Sequence, residues 1–254
     1  MTPRPHIDPG AAPICVIGMG RSGIAAARAL AARGFDVVLS DGRDRGTLWP
    51  AVSDLDGVVE LAFGGEVVQP GALTVLSPGV FPDSATWATA HELAGEVIGE
   101  VELFFRLYRG RIVAVTGTDG KSTVTTLAAH LLRTAGIDAV AGGNLGNALC
   151  GIVQSPEPGD HPDTVVAEVS CFQLLTTRTF RPDVALVTNL AEDHLEVHKT
   201  FDAYVAAKAR VVEAQGPGDV FVRNLDDPLL SGWMTPDHPR VPGRGQGVLD
   251  VCRA

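Results

Sequence analysis

A glycine-rich loop between an apolar strand and a helix is the segment of this sequence best suited to chemistry. Residues 113–115 predict a buried strand, and Lys121 and Ser122 follow the second of two glycines. Glycines let backbone N–H groups turn towards an anion at the positive end of a helix, where a lysine adds charge and a serine hydroxyl can bind Mg²⁺. The pattern predicts a nucleoside triphosphate site on Gly117, Thr118, Asp119, Gly120, Lys121, Ser122 and Thr123.

This loop is a shortened variant of the P-loop signature, because Val115 stands where that signature has its first glycine. The alternative interpretation is a glycine turn before an ordinary surface helix. Lysine and serine directly after the second glycine, at a junction between a strand and a helix, favour the nucleotide site.

Two charged residues stand in segments that otherwise predict buried structure. Glu168 lies in the apolar run 165–169, and a buried carboxylate costs free energy unless it meets a cation. An edge strand with Glu168 directed to solvent is the alternative. Lys208 lies among alanines in the helix predicted at 201–214, where a lysine usually extends its ammonium group to water.

Two further loops follow predicted strands and carry polar side chains. Residues 142–146 read Gly-Gly-Asn-Leu-Gly, which places Asn144 where it can point at a ligand. Asp193 and His194 follow the strand predicted at 184–188, and an acidic residue beside a histidine there indicates a metal or phosphate site. A simple helix cap is the alternative for this pair.

The first part of the chain contains a glycine turn of a different kind. Residues 18–23 read Gly-Met-Gly-Arg-Ser-Gly between an apolar run at 14–17 and an alanine-rich helix, as in the first unit of a Rossmann-like fold. The strand predicted at 35–40 leads to Asp41, the acidic position that such a fold uses to bind a ribose. Residues 77–79 follow another strand, where ligands collect in open α/β sheets, and a plain Pro-Gly turn is the alternative there.

Parallel strands that alternate with helices must position these loops. Short Val, Leu and Ile runs followed by longer Ala- and Leu-rich stretches recur along the 254 residues, and this alternation predicts an α/β fold. We expect a Rossmann-like N-terminal domain at 1–109, whose first residues, 1–12, form a loose leader, and a second parallel-sheet domain of the P-loop type at 110–254. In the helix predicted at 121–135, the residues at core spacing are Val124, Leu127, Leu131 and Leu132.

Charge and composition exclude several classes of function. The net charge of −10 argues against nucleic acid as a partner, since duplex binding needs clustered Lys and Arg. The four cysteines lack metal-ligand spacing, the N-terminus does not look like a signal peptide, and no apolar run reaches the ~20 residues that span a bilayer. We therefore expect a soluble, cytoplasmic protein. The Pro- and Gly-rich stretch 235–247 predicts no further element.

Taken in order, these motifs resemble those of the Mur ligases of peptidoglycan synthesis. Besides residues 18–23 and 116–123, the chain carries Leu-Ser-Pro-Gly-Val at 76–80, Gly-Gly-Asn-Leu-Gly at 142–146, Glu-Val-Ser-Cys-Phe-Gln-Leu at 168–174, Asn-Leu-Ala-Glu-Asp-His-Leu at 189–195 and Ala-Ala-Lys at 206–208. The resemblance spans about residues 13–230. The Rossmann-like first domain and residues 171–173 indicate the members of this family that add D-glutamate.

The resemblance implies a role for most of the candidate residues. ATP would lie on residues 117–123, with Lys121 on its terminal phosphates. One Mg²⁺ would be held by Ser122 and Glu168 and a second would lie near His194, while Lys208 matches a lysine that family members carbamylate, so that its new carboxylate approaches the metals. The candidate residues for UDP-N-acetylmuramoyl-L-alanine are Arg21, Ser22, Asp41, Arg43, Gly79 and Asn144.

The implied reaction joins D-glutamate to UDP-N-acetylmuramoyl-L-alanine. The substrate carboxylate attacks the γ-phosphate of ATP, and the amine of D-glutamate displaces the resulting acyl phosphate. Because both partners of the first step are anions, the reaction needs divalent ions and a lysine, so the implied catalytic residues are Lys121, His194 and Lys208. The resemblance further implies a monomer without membrane attachment, with a part in cell-wall biogenesis, cell shape and cell division.

The sequence also departs from the family pattern. Asp119 stands where family members usually carry asparagine, Cys171 replaces a serine, and Glu196 and Val197 replace a common Asp-Arg pair. Family members continue through further central strands into a third domain that brings D-glutamate, so we expect an incomplete ATPase domain and an inactive fragment. The alternatives are an NAD-dependent oxidoreductase, resting on residues 18–23 and Asp41, and a non-catalytic nucleotide-binding fragment.

Overall fold

Two all-parallel β-sheets organise the fold of this protein. The computed structural model describes residues 4–7, 12–157, 159–233 and 245–252. The strands of the first sheet are β1 (Ile14–Ile17), β2 (Val37–Asp41), β3 (Glu60–Phe63), β4 (Leu73–Leu76) and β5 (Glu96–Gly99). Those of the second are β6 (Arg111–Thr116), β7 (Ala139–Gly143), β8 (Thr164–Glu168), β9 (Val184–Val187), β10 (Val220–Asn224) and β11 (Gly247–Val251). The predicted α/β fold is confirmed.

Helices connect most of these strands. They are α1 (Arg21–Ala31), α2 (Arg45–Val52), α3 (Ala85–Leu93), α4 (Glu100–Leu107), α5 (Lys121–Thr134), α6 (Leu149–Ile152), α7 (Cys171–Leu174), α8 (Leu195–His198) and α9 (Phe201–Glu213). Two short 3₁₀ helices lie at Ser53–Leu55 and Leu230–Gly232. No helix in the described ranges is long and apolar enough to cross a membrane.

The first sheet has the strand order β3-β2-β1-β4-β5, with β1 at its centre. The order reverses between β1 and β4, and ligands of such sheets bind where the carboxyl ends of strands meet at that reversal. Ile17 is in register with Leu76, so the two turns that follow these strands are neighbours. Ser77 joins them, because its Oγ donates a 3.1 Å hydrogen bond to the carbonyl of Gly18.

The second sheet has the order β11-β10-β9-β6-β8-β7. Strand β6 lies between β8 and β9, and its residues Ile112, Ala114 and Val115 are fully buried. A strand covered on both faces has little need for polar alternation, which explains the nearly continuous apolar run of β6 in the sequence. The loop at 117–120 follows this central strand directly and is called the phosphate loop below, after its predicted role.

The described chain divides into two compact units. The first runs through Arg109 and also includes Gly146–His161 and Thr176–Arg178, whereas the second contains the other described residues from Gly110 onward. Hydrogen bonds tie both later segments into the first unit: the amide of Cys150 donates to Glu100 Oε1 (2.9 Å), and that of Arg178 donates to Glu102 Oε2 (2.8 Å). A boundary drawn after residue 109 therefore leaves out two segments of the first unit.

The predicted core face of α5 is wrong at two positions. Leu127 and Leu131 are 52% and 58% exposed. The helix instead packs on Val115 and Val166 of the sheet through a neighbouring stripe made of Val124, Ala128, Ala129 and Leu132. Two alanines in that stripe present little side-chain bulk towards the strands, so the larger leucines do not identify the buried face.

Three other local expectations also need correction. The apolar residues at 58–62 predict a short buried strand, but the strand found there, β3, is an edge strand with partly exposed residues. The expected loose leader is anchored in part, since Ile7 is buried and the Arg4 guanidinium lies 4.8 Å from the centre of the Phe105 ring. Most of the stretch 235–247 lies outside the described residues, and its last residue begins the unpredicted strand β11.

Candidate functional site

The loop between β6 and α5 has a backbone that requires glycine. Gly117 and Gly120 have φ angles of 136° and 76°, which side-chain-bearing residues rarely adopt. A Cβ atom on Gly117 would also lie 2.0 Å from Thr188 Oγ1. Gly120 is the N-cap of α5, and within the described structure no side chain caps this helix. The first N–H groups of α5 are therefore left for solvent or for an anion.

Three predicted site residues, Glu168, Ser122 and Asn144, lie together at the carboxyl end of β8. The carboxylate of Glu168 is buried, with 1% of the residue exposed. Ser122 Oγ donates a 2.7 Å hydrogen bond to Glu168 Oε2, and Asn144 Nδ2 donates a 2.9 Å hydrogen bond to Oε1. Lys121 lies in the same turn of α5 as Ser122, and its Nζ donates to the carbonyl of Thr118 (2.6 Å). The alternative of a solvent-directed Glu168 is wrong.

The segment after β9 makes several hydrogen bonds to the phosphate loop. Asn189 accepts hydrogen bonds from Thr118 N at its carbonyl (2.9 Å) and from Asp119 N at Oδ1 (3.0 Å). Its Nδ2 donates to the carbonyl of Asp119 (3.1 Å), and Thr188 Oγ1 donates to the same carbonyl (2.6 Å). Sequence reasoning did not single out Asn189, although it opens the motif at 189–195.

Helix α9 binds the phosphate loop at two points. Lys208 is only 2% exposed, and its Nζ donates a 2.6 Å hydrogen bond to the carbonyl of Gly117 while lying 4.5 Å from the centre of the Tyr204 ring. The Tyr204 hydroxyl lies 2.9 Å from Thr118 Oγ1. Burial lowers the pKa of Lys208 to about 8 and raises the pKa of Tyr204 to about 12. The expectation that such a lysine reaches water is wrong, and Tyr204 was missed.

His194 lies at the start of α8 with a left-handed backbone, φ 52°. Its imidazole nitrogens are 3.4 Å from Asp193 Oδ2 and 3.4 Å from Glu196 Oε1, and its ring centre is 4.9 Å from that of Phe172. Its side chain is 42% exposed. Among the described residues, no hydrogen bond or ion pair joins His194 to Glu168.

The donor set around Glu168 suits a magnesium ion. Carboxylate and hydroxyl oxygens are the ligands that Mg²⁺ prefers, and the ion usually keeps waters and nucleotide phosphates in its other positions. Within the described ranges there is no group of three or more His, Cys, Asp or Glu that could hold a metal, and a site built from Ser122 and Glu168 does not need one. The ammonium group of Lys208, which donates to the carbonyl of Gly117, cannot ligate a cation.

In the first unit, Asp41 organises the turn at the carboxyl end of β2. Its Oδ2 accepts hydrogen bonds from Met19 N and Arg43 Nη2 (both 2.7 Å), and its Oδ1 accepts from the amide and Nε of Arg43 (both 2.9 Å). The Arg43 guanidinium lowers the pKa of Asp41 to about 2. Arg43 keeps 56% of its side chain exposed, so the group presented to a ligand is the arginine more than the aspartate.

The glycine turn after β1 lies beside this pair. A Cβ atom on Gly23 would lie 1.9 Å from the carbonyl of Gly18, so the turn depends on a glycine there. Arg21 and Ser22 form the first turn of α1, whose N-cap, Gly20, offers no side-chain hydrogen bond in the described structure. Gly79 is exposed in the loop after β4. Asn144 belongs to the second unit, where it binds Glu168.

Comparison with known proteins identifies the family of this chain. The Mur ligase middle domain matches residues 115–243, about half of the chain, and the chain belongs to the Mur ligase family. The chain is similar to UDP-N-acetylmuramoylalanine–D-glutamate ligase of Pelotomaculum thermopropionicum, with 44% identity over 90% of this chain and 50% of that protein. The enzyme of the same name from Geotalea uraniireducens is 40% identical over 87% of this chain and 49% of that protein.

A solved structure supports the fold. The structure of UDP-N-acetylmuramate:L-alanyl-gamma-D-glutamyl-meso-diaminopimelate ligase from Neisseria meningitides superposes with a TM-score of 0.58, at 18% identity, over 93% of this chain and 76% of that one. Identity this low bears on the fold alone. The chain spans about half the length of the curated relatives that it matches.

Proposed function

We propose that this chain is the substrate- and ATP-binding part of a ligase that joins D-glutamate to UDP-N-acetylmuramoyl-L-alanine in peptidoglycan synthesis. The observation that carries the proposal is the convergence of Ser122 and Asn144 on the buried carboxylate of Glu168, directly beside the glycine loop. Relatives that are 44% and 40% identical over the aligned residues bear the name of this ligase.

The phosphate loop supplies the positive groups that such a reaction needs. A carboxylate and the γ-phosphate of ATP repel each other, and catalysis of phosphoryl transfer is mostly positioning and charge stabilisation. The N–H groups at the start of α5 would bind phosphate oxygens, and Lys121 would leave the Thr118 carbonyl to pair with the terminal phosphates. Bound Mg²⁺, held by Ser122 and Glu168, would offset the remaining charge.

Lys208 has two possible states in this proposal. As an amine it ties α9 to the Gly117 carbonyl. Its pKa of about 8 leaves part of it uncharged near neutral pH, and a neutral amine is the form that attacks CO₂ to give a carbamate and a proton. The carbamate would be an anionic oxygen ligand close to the loop, and we propose His194 as a further ligand.

The first unit would bind the UDP portion of the substrate at the turns after β1, β2 and β4. The Arg43 guanidinium, fixed by Asp41, and the uncapped start of α1 at Arg21 and Ser22 offer positive groups to a diphosphate. Four protein N–H groups already fill the acceptor sites of the Asp41 carboxylate. This disfavours the alternative of a dehydrogenase that would use this residue to bind a ribose.

Isothermal titration calorimetry of the chain tests this function. We expect binding of ATP in the presence of Mg²⁺, separate binding of UDP-N-acetylmuramoyl-L-alanine, and no binding of NADH. Binding of NADH with no response to ATP would favour an oxidoreductase. Binding of ATP but not of UDP-N-acetylmuramoyl-L-alanine would support the nucleotide site and contradict the assignment of the first unit to the UDP substrate.

A further inference from the structure

Asp227 is a buried carboxylate that none of the roles above uses. It lies three residues after the end of β10 and is 8% exposed. Its Oδ1 accepts hydrogen bonds from the amides of Leu229 (2.8 Å) and Leu230 (3.2 Å), which hold the local turn. Its Oδ2 accepts a 2.7 Å hydrogen bond from the amide of Leu190, 37 residues earlier in the chain. One carboxylate therefore joins the segment after β10 to the segment after β9.

Leu190 stands between Asn189 and Ala191, which both form hydrogen bonds with the phosphate loop. On one side, Asn189 binds Thr118 and Asp119 through its backbone carbonyl and its side-chain amide. On the other side, the amide of Ala191 donates a 3.0 Å hydrogen bond to Thr118 Oγ1. The hydrogen bond that holds the amide of Leu190 therefore also restrains Asn189 and Ala191, which both contact the loop.

We infer that Asp227 is a positioning residue of the nucleotide site, which holds the phosphate loop in its binding geometry through Leu190 and Asn189. The inference rests on the proposed function, because it assigns the loop to the phosphates of ATP. A loop whose N–H groups are held in place before the ligand arrives loses less conformational freedom on binding, so it binds more tightly. The ligand class concerned is a nucleoside triphosphate, and Asp227 itself does not touch it.

The negative charge and both oxygens matter to this role. Hydrogen bonds to a charged acceptor are about twice as strong as those between neutral groups. Asp227→Asn leaves one acceptor oxygen, and the side-chain orientation that keeps two of the three hydrogen bonds turns this oxygen towards the amides of Leu229 and Leu230. The NH₂ group then faces the amide of Leu190 and cannot accept its hydrogen bond. The variant thus keeps the local turn and removes the long-range link.

Amide hydrogen exchange of the chain without ligand is the first test. We expect Asp227→Asn to speed exchange at Leu190, Thr118 and Asp119 by about tenfold, the factor that corresponds to one such hydrogen bond, and to leave Val166 in β8 unchanged. Asp226→Asn, an exposed neighbour, is the matched control and should leave all four amides unchanged. Equal exchange at Leu190 and Thr118 in Asp227→Asn and the parent protein would overturn the inference.

Calorimetry with MgATP is the second test. Asp227→Asn should weaken ATP binding about tenfold and leave binding of UDP-N-acetylmuramoyl-L-alanine unchanged, whereas a general loss of stability would weaken neither at low temperature. Asn189→Ala should also weaken ATP binding. Because both changes act on one chain of contacts, their double variant should lose less affinity than the product of the two single losses. Losses that multiply fully would overturn the inference.

Two safeguards separate the possible failures. If Asp227→Asn does not fold, Asp227→Ser replaces it, since a serine hydroxyl can still serve the local turn but is too short to reach Leu190. If the parent protein binds no ATP, the proposed function fails, and hydrogen exchange without ligand still decides whether Asp227 holds the loop.

Discussion

Ser122 Oγ donates a 2.7 Å hydrogen bond to Oε2 of Glu168, and this contact joins the first turn of α5 to the carboxyl end of β8. A hydroxyl and a carboxylate are thereby held side by side next to the phosphate loop. Their joint use as oxygen ligands follows from the Mg²⁺ preference for such groups.

Replacing Glu168 by glutamine should remove most of the magnesium dependence of ATP binding. The substitution keeps an acceptor for Ser122 and a similar volume but removes the charge that attracts the cation. We expect affinity for ATP in Mg²⁺ to fall about tenfold or more, with little change in EDTA, as measured by calorimetry. Glu213→Gln, an exposed change on α9, is the control. An equal ratio of the two affinities in Glu168→Gln and the parent protein would contradict the metal assignment.

Lys121→Ala should weaken ATP binding without affecting the first unit. A charge-assisted contact is worth roughly 1.5–3 kcal/mol, so the expected loss of affinity is about 10- to 100-fold. Thermal shift with ATP and, separately, with UDP-N-acetylmuramoyl-L-alanine measures both effects. Lys199→Ala, an exposed lysine in the same unit, serves as the matched variant. Undiminished protection by ATP would mean that Lys121 does not reach the phosphates.

The buried Lys208 should make stability rise with pH in bicarbonate-free buffer. Its folded pKa is lowered to about 8 from 10.5, so the unfolded chain binds more protons between these values, and stability rises as pH increases through that window. The full difference is about 3 kcal/mol, from about 1.36 kcal/mol per unit. Lys208→Met should lack this rise, whereas Lys199→Met should retain it. Parallel curves of melting temperature against pH for parent and Lys208→Met would refute the buried ammonium.

The buried carboxyl of Glu100 should make the stability of the protein fall as pH rises. Burial raises its pKa, although the amide of Cys150 donates a 2.9 Å hydrogen bond to Oε1. Its contribution is therefore fully present below the unfolded pKa of about 4.3 and is lost as pH rises through the higher folded value. Glu100→Gln keeps the acceptor for Cys150 and should become more stable than the parent as pH rises from about 4 to 8.

Glu102→Gln provides the contrast to this variant. Glu102 is paired with the buried Arg106 at 3.0 Å and accepts the amide of Arg178, so removing its charge leaves a buried guanidinium less well compensated. We expect a loss of stability at neutral pH. Urea unfolding at pH 4 and pH 8 compares the two variants, and a stabilised Glu102→Gln or a destabilised Glu100→Gln at pH 8 would count against this account.

The sequence predicted the phosphate loop and Glu168 because each carries a local signal. Glycines, lysine and serine have meaning at fixed spacing, and a charge inside an apolar run stands out. Tyr204 and Asp227 carry no such signal: a tyrosine on an amphipathic helix and an aspartate in a turn are common. Their importance comes from partners that are distant in the chain, Thr118 and Leu190, and only the folded sheet brings these together.

Sheet order and the buried face of a helix were harder to predict for related reasons. The unpredicted helices α2 and α3 have weak periodic patterns because few of their residues are buried. The exposed Leu127 shows that side-chain size does not identify the packed stripe when alanines allow close approach to the sheet. The segment at Gly146–His161 joins the first unit through a contact between Glu100 and Cys150, which no local pattern indicates.

The choice of N-cap residues separates two kinds of helix in this chain. In the described structure, α2, α3 and α9 begin at side chains that bind their first turns, namely Asp44, Ser84 and Thr200, while α4 has two glutamates there. Helices α1 and α5 begin at Gly20 and Gly120 and have neither. Relative to glycine, a capping side chain contributes roughly a few tenths of a kcal/mol. Selection for thermostability alone would therefore favour a serine or aspartate at position 20. Its side chain would then occupy the N–H groups at the start of α1 that are otherwise open to an anion.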